Sequence, residues 1–352
     1  MRALVAMSGG VDSSVAAALM KQEGHDVIGV TLKLWSGPNG EAPTAGCCTV
    51  SDAEDARRVA AQLGIPYYVL DYTVDFRDGV VDRFVADYVT GRTPNPCIEC
   101  NRTVKFDRLL GRLDDFDCDI LVTGHHARNV LSGGIWGLRR GRDRAKDQSY
   151  VLSMLTQAEL TRTRFPVGEL TKTEVREIAA EMGLRTALKP ESMDICFVGQ
   201  RDYRGFMRET APGAFTPGPL VGSDGEELGR HDGIAAFTVG QRRGLGVALG
   251  EPRFVIRIEP ATSTVVVGPR EELGVGGVML EQVTWADGRA VTGGVMAQYR
   301  AHGDPVEATL KEHSLTFAQP QEAIAPGQTV ALYVEDRVIG GGLIERTLEV
   351  AA

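Results

Sequence analysis

Two rhythms of apolar and polar residues run along this chain, and the point where one gives way to the other divides it. Ala3 to Met7 are apolar without a break, as a strand covered on both faces would be. A helix is predicted from about Ser13 to Glu23, closed by Gly24, and a second strand at Val27 to Leu34. Ser51 with Glu54 forms a capping box ahead of Ala56, Val59, Ala60 and Leu63, which recur at helical spacing, and Gly64 marks the stop before a strand at Tyr67 to Leu70. Further helices are predicted at about Val74 to Thr90 and Arg102 to Leu113, with a strand at Ile120 to Thr123. Thr171 with Glu174 opens another helix, running to about Met182 before Gly183. This alternation predicts an α/β domain over 1–198, a doubly wound parallel sheet with ligands at its strand ends.

Past residue 198 the texture changes. Gly-punctuated segments, among them Thr238-Val239-Gly240-Gln241-Arg242-Arg243-Gly244-Leu245-Gly246, predict a small central α+β or β domain over 199–272. Short β-branched runs at Val278 to Val283, Gly294 to Tyr299, Val306 to Leu310, Thr329 to Val334 and Val338 to Ile344 predict a C-terminal β-barrel over 273–352.

Composition bounds the function. With 43% hydrophobic and 24% charged residues, the chain has the balance of a folded globular protein and lacks the polar bias of disorder. The opening run meets Ser8-Gly9 too early for a signal peptide, and no apolar stretch approaches the ~20 residues of a membrane span, so a cytoplasmic protein without membrane contact is expected. Six cysteines (Cys47, Cys48, Cys97, Cys100, Cys118, Cys196) then call for chemistry or burial and not a disulfide framework. A net charge of -9 disfavours indiscriminate binding to nucleic acid, but phosphate affinity follows local patches. Arg139, Arg140, Arg142, Arg144 and Lys146 form one, readable as a solvated loop or as an RNA-facing patch.

The most informative segment is Ser8-Gly9-Gly10-Val11-Asp12-Ser13-Ser14, set between the first strand and the first helix. Glycines there let backbone N–H groups approach an anion, hydroxyls donate to phosphate oxygens, and the helix N-terminus adds partial positive charge. The lysine of a Walker A loop is absent, and the spacing is not that of a dinucleotide-binding turn. The segment resembles the PP-loop of the ATP pyrophosphatase superfamily, whose members cut ATP between the α and β phosphates. Adenylation of this kind prepares a substrate for a nucleophile, for which Cys97, Cys100 and Cys196 are candidates. Asn101 is expected to cap the helix carrying Arg102 and Lys105, favouring the Cys100 thiolate. The Cys97–Cys100 pair alone fits a redox couple or half a zinc site, and Cys196, among apolar neighbours, fits an inert buried thiol as well as a reactive one. Cys47, Cys48 and Cys118 are left as structural.

These segments together are similar to the bacterial tRNA-specific 2-thiouridylase family. The resemblance is carried by Ser8 to Ser14, Pro94-Asn95-Pro96 with Cys100-Asn101, and Thr123-Gly124-His125-His126-Ala127-Arg128. It continues through Lys146-Asp147-Gln148-Ser149-Tyr150, Ser192 to Phe197, Gly240 to Gly246 and Gly340-Gly341-Gly342, and so spans nearly the whole chain. It implies that ATP, with Mg2+, is held by Ala6, Met7, Ser8, Gly9, Gly10, Val11, Asp12, Ser13, Leu32 and Gly124. Cys100 would be the nucleophile and Cys196 the carrier of a persulfide. Contacts to the target base are implied for Asn95, Pro96 and Cys97, and contacts to tRNA for His125, Lys146, Asp147, Gln148, Tyr299, Arg300 and Gln328.

One departure matters. Cys97 stands where many members have aspartate, so an acid or base role for that aspartate does not carry over. Cys97, Cys100 and Cys196 would instead supply three ligands of a 4Fe-4S cluster whose fourth iron holds sulfide, the alternative to a cluster-free persulfide route. The implied activity is ATP-dependent 2-thiolation of the wobble uridine of tRNA through an adenylated uridine, with release of AMP and pyrophosphate. In the persulfide route a Cys100–Cys196 disulfide remains at the end. A persulfide donor such as a cysteine desulfurase or relay protein is the implied partner, and a monomer is expected. A PP-loop ligase adenylating a small metabolite and a non-catalytic RNA-binding protein are the rival readings. The cysteines and the basic run speak against the first, and Asp12, Ser13 and Cys100 against the second.

Overall fold

The computed structural model describes residues 1–36, 49–190, 195–198, 202–247 and 250–350. Cys47 and Cys48, and the Ser192, Met193 and Asp194 part of the fifth motif, lie outside the described residues. Strands β1 (Arg2–Ala6), β2 (Asp26–Lys33), β3 (Tyr67–Asp71), β4 (Ile120–Thr123) and, after a hairpin of β5 (Ala127–Ser132) and β6 (Ile135–Arg140), β7 (Thr163–Arg164) account for the first region. Its sheet runs β3-β2-β1-β4-β7 with every neighbouring pair parallel, as expected.

Unbroken apolar strands follow from coverage on both faces. Alternate residues of β1 point to opposite cores: Val5 joins Val15, Val59, Val122 and Val175, while Leu4 joins Phe76, Phe84, Val104 and Leu121. Helices α1 (Val11–Gln22) and α2 (Val50–Leu63) cover the first face; α3 (Thr73–Phe76), α4 (Asp82–Val89) and α5 (Pro96–Glu99) lie toward the second. After the short α6 (Gln157–Thr161), α7 (Lys172–Glu181) returns to pack beside α1. The α7 capping box of Thr171 and Glu174 forms as predicted. That of α2 lies two residues earlier than expected, with Thr49 Oγ1 accepting from the Asp52 N–H at 3.1 Å and the Asp52 carboxylate accepting from the Thr49 N–H at 2.9 Å.

The second region opens with α8 (Tyr203–Thr210) and folds β8 (Gly218–Gly222), β9 (Glu227–His231), β10 (Phe254–Glu259) and β11 (Thr264–Gly268) into a sheet ordered β10-β11-β8-β9 around Leu220, Val255, Val265 and Val267. In the third, β12 (Gly274–Trp285), β13 (Gly293–Gln298), β14 (Val306–Lys311), β15 (Ser314–Glu322), β16 (Thr329–Val334) and β17 (Arg337–Leu348) pair in the order β12-β15-β14-β13-β16-β17, and β17 pairs back onto β12 to close an antiparallel barrel. The α/β domain, the small middle domain and the barrel are the architecture expected from the sequence.

Strand β15 and the β5–β6 hairpin were not foreseen. The hairpin leaves the first region and docks on the barrel: Arg139 registers with Arg337, and the Arg140 N–H donates to the Asp336 carbonyl at 2.8 Å. The Asp336 carboxylate accepts from both Arg128 and Arg139. The basic cluster therefore corrects to a strand and its following turn, with Arg140 paired to Asp147 and Arg142 to Glu174. Among the described residues no helix is long and apolar enough to cross a membrane.

Candidate active site

Strand order reverses at β1, which lies between β2 and β4, so a crevice opens at the carboxyl ends of β1 and β4. Ser8 to Gly10 leave β1 and Gly124 to His126 leave β4, which brings two motifs distant in sequence to one place. Gly9 has φ of +71°, and a Cβ there would lie 2.1 Å from the Asp52 carbonyl oxygen. A Cβ on Gly124 would lie 2.5 Å from the Ser13 nitrogen. Both positions are closed to any side chain. Ser14 Oγ and Ser13 Oγ donate to the Gly10 carbonyl at 2.8 and 3.3 Å, and the Ser8 N–H donates to Ser13 Oγ at 3.1 Å. Among the described residues no side chain caps the amino end of α1, a geometry suited to an anion.

Above the loop, the Asp12 carboxylate meets two cationic or proton-bearing groups. Lys172 Nζ, from the first turn of α7, donates to both its oxygens at 2.8 Å, and His126 Nε2 lies 3.1 Å from Oδ1. Burial pushes the Asp12 carboxyl up, but the His126 and Lys172 hydrogen bonds outweigh it and hold the group below its ordinary value. His126 Nδ1 is buried, with no hydrogen-bond partner among the described residues. His125 turns the other way, onto the Phe106 and Phe165 rings, with Nδ1 2.7 Å from Thr123 Oγ1. Burial, then the nearby Lys105 and His126 charges, push its pKa well down, so its ring is neutral at physiological pH.

Cys100, Cys118 and Cys196 belong to the second face of the sheet. Asn95, not Asn101, is the helix cap: its Oδ1 accepts from the Cys97 and Ile98 N–H groups at 3.1 and 3.3 Å, with Pro96 at the first helical position. The helix thus starts six residues earlier than the expected cap implied, and it runs on as π-helical turns over Cys100–Leu109. Asn101 is buried inside it, donating from Nδ2 to the Val151 carbonyl and accepting from Lys105. Cys100 is buried in the same apolar cluster as Leu32, and Ala6 and Cys196 pack against that cluster. Phe197 anchors the Cys196 segment edge-on or tilted against Trp35, Phe76, Phe84 and Phe206, at centroid distances of 5.1 to 6.1 Å. Both thiols of the implied pair and two implied ATP contacts thus belong to, or pack against, one extended apolar cluster. Cys97 is exposed, and Cys100 and Cys118 are buried. Among the described residues no three His, Cys, Asp or Glu side chains are grouped to hold a metal ion.

A cleft of about 190 Å³ separates the Pro-rich loop from the barrel. It is lined by Thr93, Pro94, Asn95, Tyr150, Tyr299, Arg300 and Gln328, so the implied base-contacting residue Asn95 and three implied tRNA contacts share one opening. The Thr93 N–H donates to the Pro326 carbonyl at 2.8 Å and holds the two walls together. Arg300 is steadied by the Glu322 and Ala323 carbonyls, and Tyr299 OH donates to Gln321 Oε1. Asp147 and Gln148 are placed differently. The Asp147 carboxylate, almost fully buried, accepts from Arg140, the Gly141 and Ser149 N–H groups and Ser149 Oγ, while Gln148 Oε1 accepts from the His126 N–H. Their side chains hold the His125–His126 turn and the adjoining hairpin.

Lys172, His126 and Tyr150 belong to the site although the sequence reading gave them no role. Lys189 joins them at its edge, donating at 2.7 Å to Asp52 and Asp55 in the turn of α2 that abuts Gly9. The signal for Lys172 was its place just inside a capping box, which fixes where the side chain starts but not what it reaches.

Three family models match the chain: a tRNA methyl transferase HUP domain over residues 1–200, a tRNA methyl transferase PRC-barrel domain over 204–269 and an aminomethyltransferase beta-barrel domain over 275–344. A protein of Herpetosiphon aurantiacus described as tRNA-specific 2-thiouridylase MnmA is 47% identical over 348 residues, covering 97% of each chain. Proteins of the same description from Roseiflexus castenholzii (45%, covering 97% of this chain and 99% of that one) and Rhizorhabdus wittichii (47%, covering 99% and 92%) are similar throughout. Among solved structures, a 4-thiouridine synthetase–RNA complex with bound ATP aligns at a TM-score of 0.37 and 18% identity over 60% of this chain and 51% of that one.

Proposed function

The chain belongs to the tRNA-specific 2-thiouridylase family, and from that premise we propose how its residues divide the work of ATP-dependent thiolation of uridine in tRNA. The observation that carries the reading is the loop at the ends of β1 and β4, where Gly9 and Gly124 are closed to a side chain and the amino end of α1 opens; the apolar cluster that holds Cys100 and packs against Cys196 also takes in Leu4 and Leu32 of the same sheet. ATP lies with its phosphates on Ser8 to Ser13 and its base toward Leu32. Uridine O2 attacks the α phosphate, and pyrophosphate leaves into the loop. Mg2+ supplies charge neutralisation on the phosphates when bound, with Asp12 as the nearby carboxylate.

The reading takes the cluster-free route, in which Cys100, buried in the apolar cluster, works with Cys196, which packs against it. The terminal sulfur of a Cys196 persulfide attacks C2 of the activated uridine and AMP departs, leaving C2 joined through sulfur to Cys196. The Cys100 thiolate then attacks the Cys196 sulfur, the electron pair passes to the sulfur on C2, and a Cys100–Cys196 disulfide forms for an external thiol to reduce. The wobble uridine, splayed from its stack, enters by the cleft between Asn95 and the barrel, where Tyr299, Arg300 and Gln328 face it.

The test supplies the purified protein with ATP, tRNA and a persulfide donor, and follows AMP together with the nucleosides of digested tRNA by mass spectrometry. Expected are tRNA-dependent AMP and 2-thiouridine confined to the wobble position, retained in Cys97→Ser and in iron-free protein. AMP formation driven by a small metabolite in place of tRNA overturns the reading, and loss of bound iron together with activity in Cys97→Ser overturns the cluster-free route.

A further inference from the structure

The phosphate loop carries no lysine or arginine from Met7 to Ser14, yet it must receive a polyanion on a protein whose net charge is -9. A helix N-terminus and hydroxyls supply partial charges only. The structure assigns the missing full charge to Lys172, a residue 160 positions away, whose ammonium is delivered to the loop by the packing of α7 on α1. Its side chain is 11% exposed, and it stands 2.8 Å from each oxygen of Asp12, the second residue of the helix that the loop opens.

We propose that Lys172 is an ATP-binding residue specific for the pyrophosphate portion of the nucleotide, stored against Asp12 when the loop is empty. The inference rests on the loop being the nucleotide site. A lysine this enclosed cannot stand alone without a desolvation cost, so the Asp12 pair keeps both charges neutralised before the nucleotide arrives. An incoming metal–nucleotide complex presents a cation and a polyanion together. Asp12 then faces the cation and Lys172 the β and γ phosphates, and neither protein charge is left unmatched. His126 is suited to hold Asp12 during the exchange, since its buried ring already lies within hydrogen-bond distance of Oδ1 and does not depend on Lys172. The capping box that starts α7 at Thr171 fixes the root of the lysine one residue later, which explains how so distant a residue keeps its aim. The arrangement also separates ATP from AMP, which lacks the group Lys172 addresses, and so favours release of spent nucleotide once pyrophosphate has gone.

The experiment measures equilibrium binding of ATP, AMP and inorganic pyrophosphate, each with Mg2+, to the full chain and to Lys172→Met and Lys172→Arg. In Lys172→Met the affinities for ATP and pyrophosphate are expected to fall at least about tenfold, the scale of one hydrogen bond to a charged group, while that for AMP stays unchanged; Lys172→Arg recovers part of the loss. A structural role alone would lower all three affinities together and sinks the proposal, as does an unchanged ATP-to-AMP ratio. A second measurement needs no variant: trace labelling of wild-type lysines by an amine-reactive anhydride, with Lys172 read by mass spectrometry, is expected to drop several-fold with pyrophosphate and not with AMP. Equal labelling in both overturns the inference. Failure of the wild-type chain to bind ATP or pyrophosphate at all would instead remove the nucleotide-site reading beneath it.

Discussion

In the proposed phosphate loop the site is made of the consecutive residues Ser8 to Ser14, whereas in the cleft beneath the barrel the lining comes from stretches near residues 93, 150, 299 and 328. The loop is backbone against backbone: Gly9 rests on the Asp52 carbonyl and Gly124 on the Ser13 N–H. The cleft is lined by side chains, among them Tyr299 held by Gln321, and one backbone hydrogen bond from Thr93 to Pro326 ties its walls. A site of the first kind tolerates almost no substitution and is written in contiguous letters. The second kind exists only after the domains have docked, and its residues tune affinity one by one.

The sharpest break in that comparison lies at the thiols that both regions serve. Cys100→Ser and Cys196→Ser are each expected to lower 2-thiouridine formation by at least about a thousandfold, as loss of an essential nucleophile does, while ATP affinity is kept; nucleoside mass spectrometry beside nucleotide binding reads both. If either variant still thiolates at near the wild-type rate, the persulfide pair is wrong. Next comes Gly9→Ala. Its φ alone costs roughly 1 to 3 kcal/mol, and the clash with the Asp52 carbonyl adds to it, so a lower melting temperature and loss of ATP binding are expected together. Normal ATP binding in that variant would show the loop to be looser than described.

Substitution in the cleft should behave in the opposite way. Tyr299→Ala and Gln328→Ala are expected to weaken tRNA binding about tenfold, within the roughly 1 to 3 kcal/mol of one base-stacking contact, with ATP affinity and melting temperature nearly unchanged; filter binding at fixed salt gives the answer. Equal losses for ATP would merge the two regions into one. The smallest effect concerns pH. The folded Asp12 carboxyl titrates below its ordinary value of 3.8, so its contribution to stability is complete above that value and is lost as pH falls through the lower folded one. Asp12→Asn should therefore flatten the acid limb of the stability profile below about pH 4, and an unaltered limb would mean that the pair with Lys172 is not formed in solution.

How much of this could be read from letters follows the same division. The strand–helix alternation, the anion loop and the α7 capping box were legible because each depends on residues within one or two turns of one another. Thr49 with Asp52 and Ser51 with Glu54 both satisfy a capping pattern, and what favours the first is tertiary: Asp52 is gripped by Lys189 and its carbonyl abuts Gly9. The helix start at Pro96 was missed because Asn95 and Asn101 are equally good caps on paper, and the burial of Asn101 against Val151 decides between them. The β5–β6 hairpin hid behind its arginines, which read as solvated until Asp336 and Asp147 arrive from elsewhere. The meeting of Lys172 with Asp12 had no local trace at all.

That hairpin bears on how the molecule can be handled. Because β6 registers on β17 and two of its neighbourhood's guanidiniums share the Asp336 carboxylate, the apparent seam ahead of residue 273 is not a place to cut. An amino-terminal fragment ending there would carry an open sheet edge and two guanidiniums without the carboxylate they share, a recipe for self-association. Any attempt to transplant the barrel onto another catalytic half would need to bring the hairpin with it, making the exchangeable unit discontinuous in the gene.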